Sequence, residues 1–223
     1  MPPKKFPIYL VEFSNQYLTN ATLLRFEEHY ESPRFKGKIF TWEEYMDWYA
    51  KENGNFTYFS DWSGFNIPSW ALLPFQKGKF NPLTKKEAAF LEMFRAVDGK
   101  FYIIGAKKGN NEVILHEIAH GLFYIYPNYR KDVEKYLSSL NLKKMTKRLV
   151  EEGYSESVAL DELNAYLLTG FDVLKGSKPK AELEKMRKKL QKIFYGHFGV
   201  YLKKKNSSYF EKRIHKLRFV YER

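Results

Sequence analysis

The chain has 223 residues, no cysteine and a formal net charge of +12. This length suits one domain or two lobes sharing a cleft, and the lack of cysteine excludes a disulfide framework and any thiolate metal ligand. Apolar residues make up 44% of the chain and aromatic residues 18%, enough for a large core, and no apolar stretch approaches the ~18 residues that read as a membrane span.

The amino terminus, Met1 to Pro7, carries basic residues, but the apolar run Ile8–Val11 that follows is too short for the core of a signal peptide. A cytoplasmic, soluble protein is the expectation. Ile8–Phe13, Phe56–Trp62 and Phe101–Ala106 are rich in aromatic and β-branched residues and bounded by Gly, Asn or Pro, so they are the expected strands. Thr41-Trp42-Glu43-Glu44 and Thr84-Lys85-Lys86-Glu87 read as capping boxes, in which a threonine hydroxyl and a glutamate three residues on satisfy each other's free backbone N–H groups. They open helices expected to stop at Gly54 and Gly99. Between them, Asp61 to Trp70 is an aromatic stretch punctuated by Gly and Pro, expected as a loop able to line a substrate groove.

After the turn at Lys107–Asn111 comes an apolar helix, capped by Asn110 or Asn111 and ended near Pro127. Beyond it the chain reads as helical to its end. Tyr129–Leu140, Leu142–Glu152, Glu156–Thr169, Lys180–Tyr195 and Ser208–Phe219 each repeat apolar residues at three and four spacing. The expected fold class is α+β. Residues 1–126 form a small α/β lobe and 127–223 a helical lobe, one catalytic domain overall with a cleft between the lobes.

The apolar helix carries His116-Glu117-Ile118-Ala119-His120, an H-E-x-x-H pentapeptide. Histidines four apart lie on one helical face, so both imidazoles reach one tetrahedral Zn²⁺ at about 2.0–2.1 Å. Glu117 projects beside them as a base that takes no ligand position. Val113, Ile114, Ile118, Ala119, Gly121 and Leu122 supply the uncharged surroundings that the motif requires.

A catalytic zinc keeps three protein ligands and one open position. No histidine occurs between His120 and His197, so a carboxylate is expected as the third ligand. Glu156, Asp161 and Glu162 are the candidates.

These residues resemble the gluzincins, zinc metallopeptidases with H-E-x-x-H on one helix and a ligand glutamate on a later one. Glu162-Leu163-Asn164-Ala165 looks like the E-x-x-A form of the second motif, and its distance from His120 is similar to that of the anthrax lethal factor and Mlc titration factor A group. The likeness covers about residues 113–169. It implies a zincin-like fold, one Zn²⁺ per chain held by His116, His120 and Glu162, and hydrolysis of a peptide or protein substrate by a zinc-activated water with Glu117 as general base. It also implies Tyr154 as the donor to the oxyanion, as in lethal-factor-like members, or His197 in the manner of thermolysin-like members. Thermolysin-like members carry an aspartate four residues after the ligand glutamate, where this chain has Tyr166, so Asp161 or Asn164 is expected to orient a zinc histidine instead.

Charge supports a second reading. Residues 1–170 carry a net +1 and residues 171–223 a net +11. Lys203-Lys204-Lys205, between Tyr201 and Tyr209, has the basic and aromatic mix of a nucleic-acid surface. The alternative is therefore a nucleic-acid-associated or other binding protein that uses residues 171–223 toward nucleic acid or another anionic surface, with zinc structural or absent.

Overall fold

The computed structural model describes residues 4–109 and 111–221, with backbone alone at 111–113. The cap expected at Asn110, the alternative cap side chain of Asn111 and the Val113 side chain lie outside the described residues. The protein is α+β with one four-stranded mixed sheet. It divides into two compact units, one of Met1–Pro7 and Asn111–His215, the other of Ile8–Asn110 and Lys216–Arg223.

The second unit runs β1 (Ile8–Phe13), α1 (Gln16–Glu31), α2 (Trp42–Asn53), α3 (Tyr58–Asp61), β2 (Gly64–Pro68), α4 (Leu73–Gln76), α5 (Lys85–Glu92) and β3 (Tyr102–Lys107). With β4 (His215–Arg218) the strands take the order β2-β3-β1-β4. β1 and β3 are parallel, Ile8 opposite Tyr102, and β2 and β3 are antiparallel, Phe65 opposite Gly105. An ideal Cβ placed on Gly105 would lie 2.1 Å from Leu23 Cδ1. The missing side chain therefore lets α1 pack closely on the sheet.

Both capping boxes form. Thr41 and Thr84 accept from the backbone N–H of Glu44 and Glu87, whose carboxylates return the bond. Gly54 ends α2 at φ 78°, in the left-handed region that suits glycine. The second helix closes at Glu92, earlier than the expected Gly99.

Three expectations fail here for physical reasons. Phe56–Trp62 is not a strand, since Tyr58–Asp61 forms a turn of helix with Tyr58 wholly buried against Tyr45 and Tyr49. The expected loop Asp61–Trp70 instead contains β2, with Phe65 and Ile67 in the core. At the chain end only Ser207–Glu211 is helical, and His215–Arg218 joins the sheet as β4. In each segment aromatic or alternating content gave an ambiguous period, and tertiary packing decided.

Aromatic rings dominate this core. Phe26 sits 4.0 Å from Phe75 and 5.1 Å from Phe90, centroid to centroid, and Phe75 stacks on Phe80. Truncating such a buried ring to alanine removes about 3–5 kcal/mol. Within the same core, Arg25 and Glu87 form a buried ion pair through two 2.6 Å contacts.

The helical unit holds α6 (Asn111–Ile125), α7 (Pro127–Ser138), α8 (Lys143–Glu151), α9 (Ala159–Thr169), α10 (Lys180–Phe198) and α11 (Ser207–Glu211). Pro127 occupies the first turn of α7, where its missing N–H has no partner to lose. Gly153 follows α8 at φ 98°. Phe6, Tyr126, Phe198 and Phe210 pack together at its aromatic centre. The boundary expected after residue 126 would put α6 with the strands. In the structure α6 groups with the helices that follow it, because its apolar surface packs on α9 and α7. No helix among the described residues is long and apolar enough to cross a membrane.

Candidate metal centre

Helix α6 buries Ile114, Leu115, Ile118, Ala119, Leu122 and Phe123. An apolar surface this wide requires burial nearly all round, and α9 covers the side that bears the histidines. Ala165, fully buried on α9 three residues after Glu162, keeps that contact close. A 3₁₀ turn over Glu156–Val158 leads into α9, and Asp161 and Glu162 fall in its first turn, where carboxylates meet the positive end of the helix dipole.

The two helices bring His116, His120 and Glu162 together, with one ligand atom from each within 4.8 Å of the others. His116 Nε2 and His120 Nε2 are 3.1 Å apart, His120 Nε2 and Glu162 Oε1 3.5 Å, and His116 Nε2 and Glu162 Oε2 3.7 Å. The cluster lies wholly inside the helical unit, in place of the cleft expected between two lobes.

Residues at i, i+4 and i+7 share a helix face, and α9 uses one such stripe to serve His116. Glu162 comes first. Tyr166 places its ring 4.6 Å from that of His116, and Thr169 puts Oγ1 3.3 Å from His116 Nδ1 while donating to Ala165 O. The hydroxyl thus has a lone pair for the imidazole N–H. Asp161, about 100° around the helix from Glu162, reaches the other histidine, with Oδ1 2.9 Å from His120 Nδ1. Each imidazole therefore has an oxygen at Nδ1, which leaves Nε2 for a cation.

Of the other two carboxylates considered as ligands, Asp161 lies behind His120 and Glu156 is exposed on the 3₁₀ turn. Asn164 accepts from the buried Tyr129 hydroxyl at 2.8 Å and anchors that ring, leaving Asp161 with the orienting position. Tyr154 is brought to the site through Tyr166, their hydroxyls 2.7 Å apart. His197 pairs with Asp132 at 2.8 Å and is not a member of the cluster. Tyr166 and Thr169, the stripe's contacts to His116, are not among the site residues expected from the sequence. Their i+4 and i+7 spacing from Glu162 was the available signal.

Electrostatics describe a pocket short of positive charge. Three carboxylates, Glu117, Asp161 and Glu162, surround two imidazoles. Burial raises the pKa of Glu117; the two histidines oppose this and Glu162 and Asp161 add to it. Burial by itself lowers the pKa of His120, but Asp161, Glu162 and Glu117 outweigh it and raise it well above the ordinary value. Burial likewise disfavours the Glu162 carboxylate, and the histidines outweigh it and hold its pKa low. Tyr166 is pushed up to about 12, first by burial.

The residues fit a zinc ion. Tetrahedral bonds of about 2.0–2.1 Å separate ligand atoms by roughly 3.3 Å, and the observed separations are 3.1, 3.5 and 3.7 Å. Buried carboxylate oxygens normally have partners, whereas Glu162 Oε2 and Glu117 Oε2 have no hydrogen-bond partner. A divalent cation would satisfy the first and supply the missing charge. No protein-family model, curated protein or solved structure matches the chain.

Proposed function

We propose that this protein is a zinc-dependent metallopeptidase of the gluzincin type with a zincin-like fold. One observation supports the reading above others: a His116, His120 and Glu162 triad at zinc-compatible spacing, His120 and Glu162 buried, with Glu117 Oε2 unpartnered on the same helix turn. A structural zinc would require a fourth protein ligand, and none joins the triad among the described residues.

When bound, zinc supplies Lewis acidity and brings water ionisation near neutral pH. The protein's residues supply the rest. Glu117 is a general base whose proton affinity burial raises above that of an exposed glutamate, the direction that suits proton transfer near neutrality. It takes a proton from water and returns it to the leaving amine. Asp161 and Thr169 hold the imidazoles in orientation. Tyr154 and Tyr166 share a hydrogen bond, so the pair retains a proton to offer a developing oxyanion. A well-placed donor of that kind contributes about 2.7–4 kcal/mol to the transition state. The substrate is a peptide or protein.

The test combines metal analysis of the purified protein with digestion of a peptide library. Wild type is expected to carry about one zinc per chain and to cleave. Glu117→Gln should keep the metal and lose about 10²–10⁴-fold in rate. Zinc retained equally by a His116→Ala/His120→Ala variant would overturn the assignment.

A further inference from the structure

A second feature of the helical unit lies apart from the triad residues. An open groove of about 640 Å³ runs between α7 and α10. Its walls carry Lys135 from α7 and Lys189 and Lys192 from α10, all three exposed. None of them makes a salt bridge among the described residues. The only acid in the groove's lining, Asp132, is engaged by His197 at 2.8 Å. Tyr136 and Ser139 also line the groove, the Ser139 hydroxyl donating to Tyr136 O. α10 as a whole has six Lys and Arg against two Glu.

Gly196 also lines this groove, inside α10. Glycine is the poorest helix former after proline, and an ideal Cβ at 196 meets nothing within 4 Å. The backbone has room for a side chain there, so the glycine leaves space that a larger residue would fill. Outside the groove's lining, about 100° around α10 from Gly196, Tyr195 is 48% exposed and packs at 4.8 Å against Tyr201, itself 38% exposed. Lys203 Nζ sits 5.1 Å from the Tyr201 ring centroid. Tyr201 is thus engaged by Tyr195 and Lys203, and the more exposed Tyr195 ring offers aromatic surface on which an unpaired base can stack, a contact that a bare phosphate would not use.

We infer that the α7–α10 groove binds single-stranded nucleic acid, its phosphates on Lys135, Lys189 and Lys192 and a base stacked on Tyr195 beside the groove. Free Lys189 and Lys192 lie one turn apart on a single helix and Lys135 faces them from another, so the three can follow a backbone along the groove. The site is independent of the zinc reading.

Fluorescence anisotropy with a labelled oligothymidylate of about twelve nucleotides, using the full chain, tests this. Three phosphate contacts on a single strand give a log–log salt slope near −2, so affinity should fall about twentyfold between 50 and 200 mM salt. Lys135→Ala/Lys189→Ala/Lys192→Ala should flatten that slope. Tyr195→Ala should weaken binding at least about fivefold, and Gly196→Leu should weaken it with no loss of thermal stability. An unchanged slope in the triple variant would overturn the inference, as would displacement of the oligonucleotide by polyglutamate of equal charge at equal concentration.

Discussion

Arg25 and Glu87 are as deeply buried as His120 and Glu162, yet the two clusters complete their hydrogen bonds in opposite ways. The Arg25 guanidinium donates to both Glu87 oxygens and to the carbonyls of Phe80 and Pro82. Glu87 also accepts from the Thr84 N–H and the Trp42 indole. Charge and lone pairs are balanced within the protein. In the histidine cluster, Glu117 Oε2 and Glu162 Oε2 have no hydrogen-bond partner, and carboxylates outnumber imidazoles. Burial of charge alone does not mark a site. Charge that is buried and left incomplete does, because an unpaired buried group is destabilising unless a ligand completes it.

The largest stability effect expected is at the complete pair. Glu87→Ala should destabilise by about 3–5 kcal/mol, while the joint change Arg25→Met/Glu87→Leu should be close to neutral. Urea unfolding of both variants measures this, and a mild single variant would remove the contrast between the clusters. For the incomplete cluster, zinc at about a thousand times its Kd should raise unfolding free energy by about 4 kcal/mol. The His116→Ala/His120→Ala variant should show no such gain.

Glu28 sharpens the comparison, since it is buried beside hydroxyl groups and makes no salt bridge among the described residues. Burial raises its pKa from 4.5 to about 7, against the neighbouring hydroxyls of Tyr58, Tyr45 and Ser32, which lower it. The folded state therefore holds the proton more tightly than the unfolded one. Its contribution is fully present below about pH 4.5 and lost as pH rises through about 7, a change on the order of 3 kcal/mol. Glu28→Gln should abolish that part of the pH dependence in denaturation curves at pH 5 and 8, and a slope identical to wild type would show that Glu28 is ionised when folded. The smallest effect expected is in the orientation of the imidazoles. Asp161→Asn and Thr169→Val should each weaken zinc affinity about 10–100-fold in a chelator competition, with cleavage by the loaded protein reduced less than by Glu117→Gln.

How far the sequence revealed the structure depended on whether a signal was local. The capping boxes at Thr41 and Thr84 and the strand Ile8–Phe13 were legible because a few neighbouring residues determine them. Helix α1 was not, since Thr19, Asn20, Thr22, Arg25, Glu27, Glu28 and His29 are all buried on it and no clean apolar period survives. In β2, glycine and proline suggested a loop where pairing with β3 makes an edge strand. The spacing of His116, His120 and Glu162 pointed to a metal group that the packing brings together. The roles of Asp161, Tyr166 and Thr169 depend on how α9 is rotated against α6, which no single segment encodes.

The placing of His120 and Glu162 also has a mechanical meaning. His120 and Glu162 stand 42 positions apart, and the chain between them contains all of α7 and α8. A cation shared by the two would close that long loop, a constraint whose entropic benefit grows with loop length. Metal supply would then govern how long each folded molecule persists before this segment opens to proteolysis, whatever chemistry the site performs while it lasts.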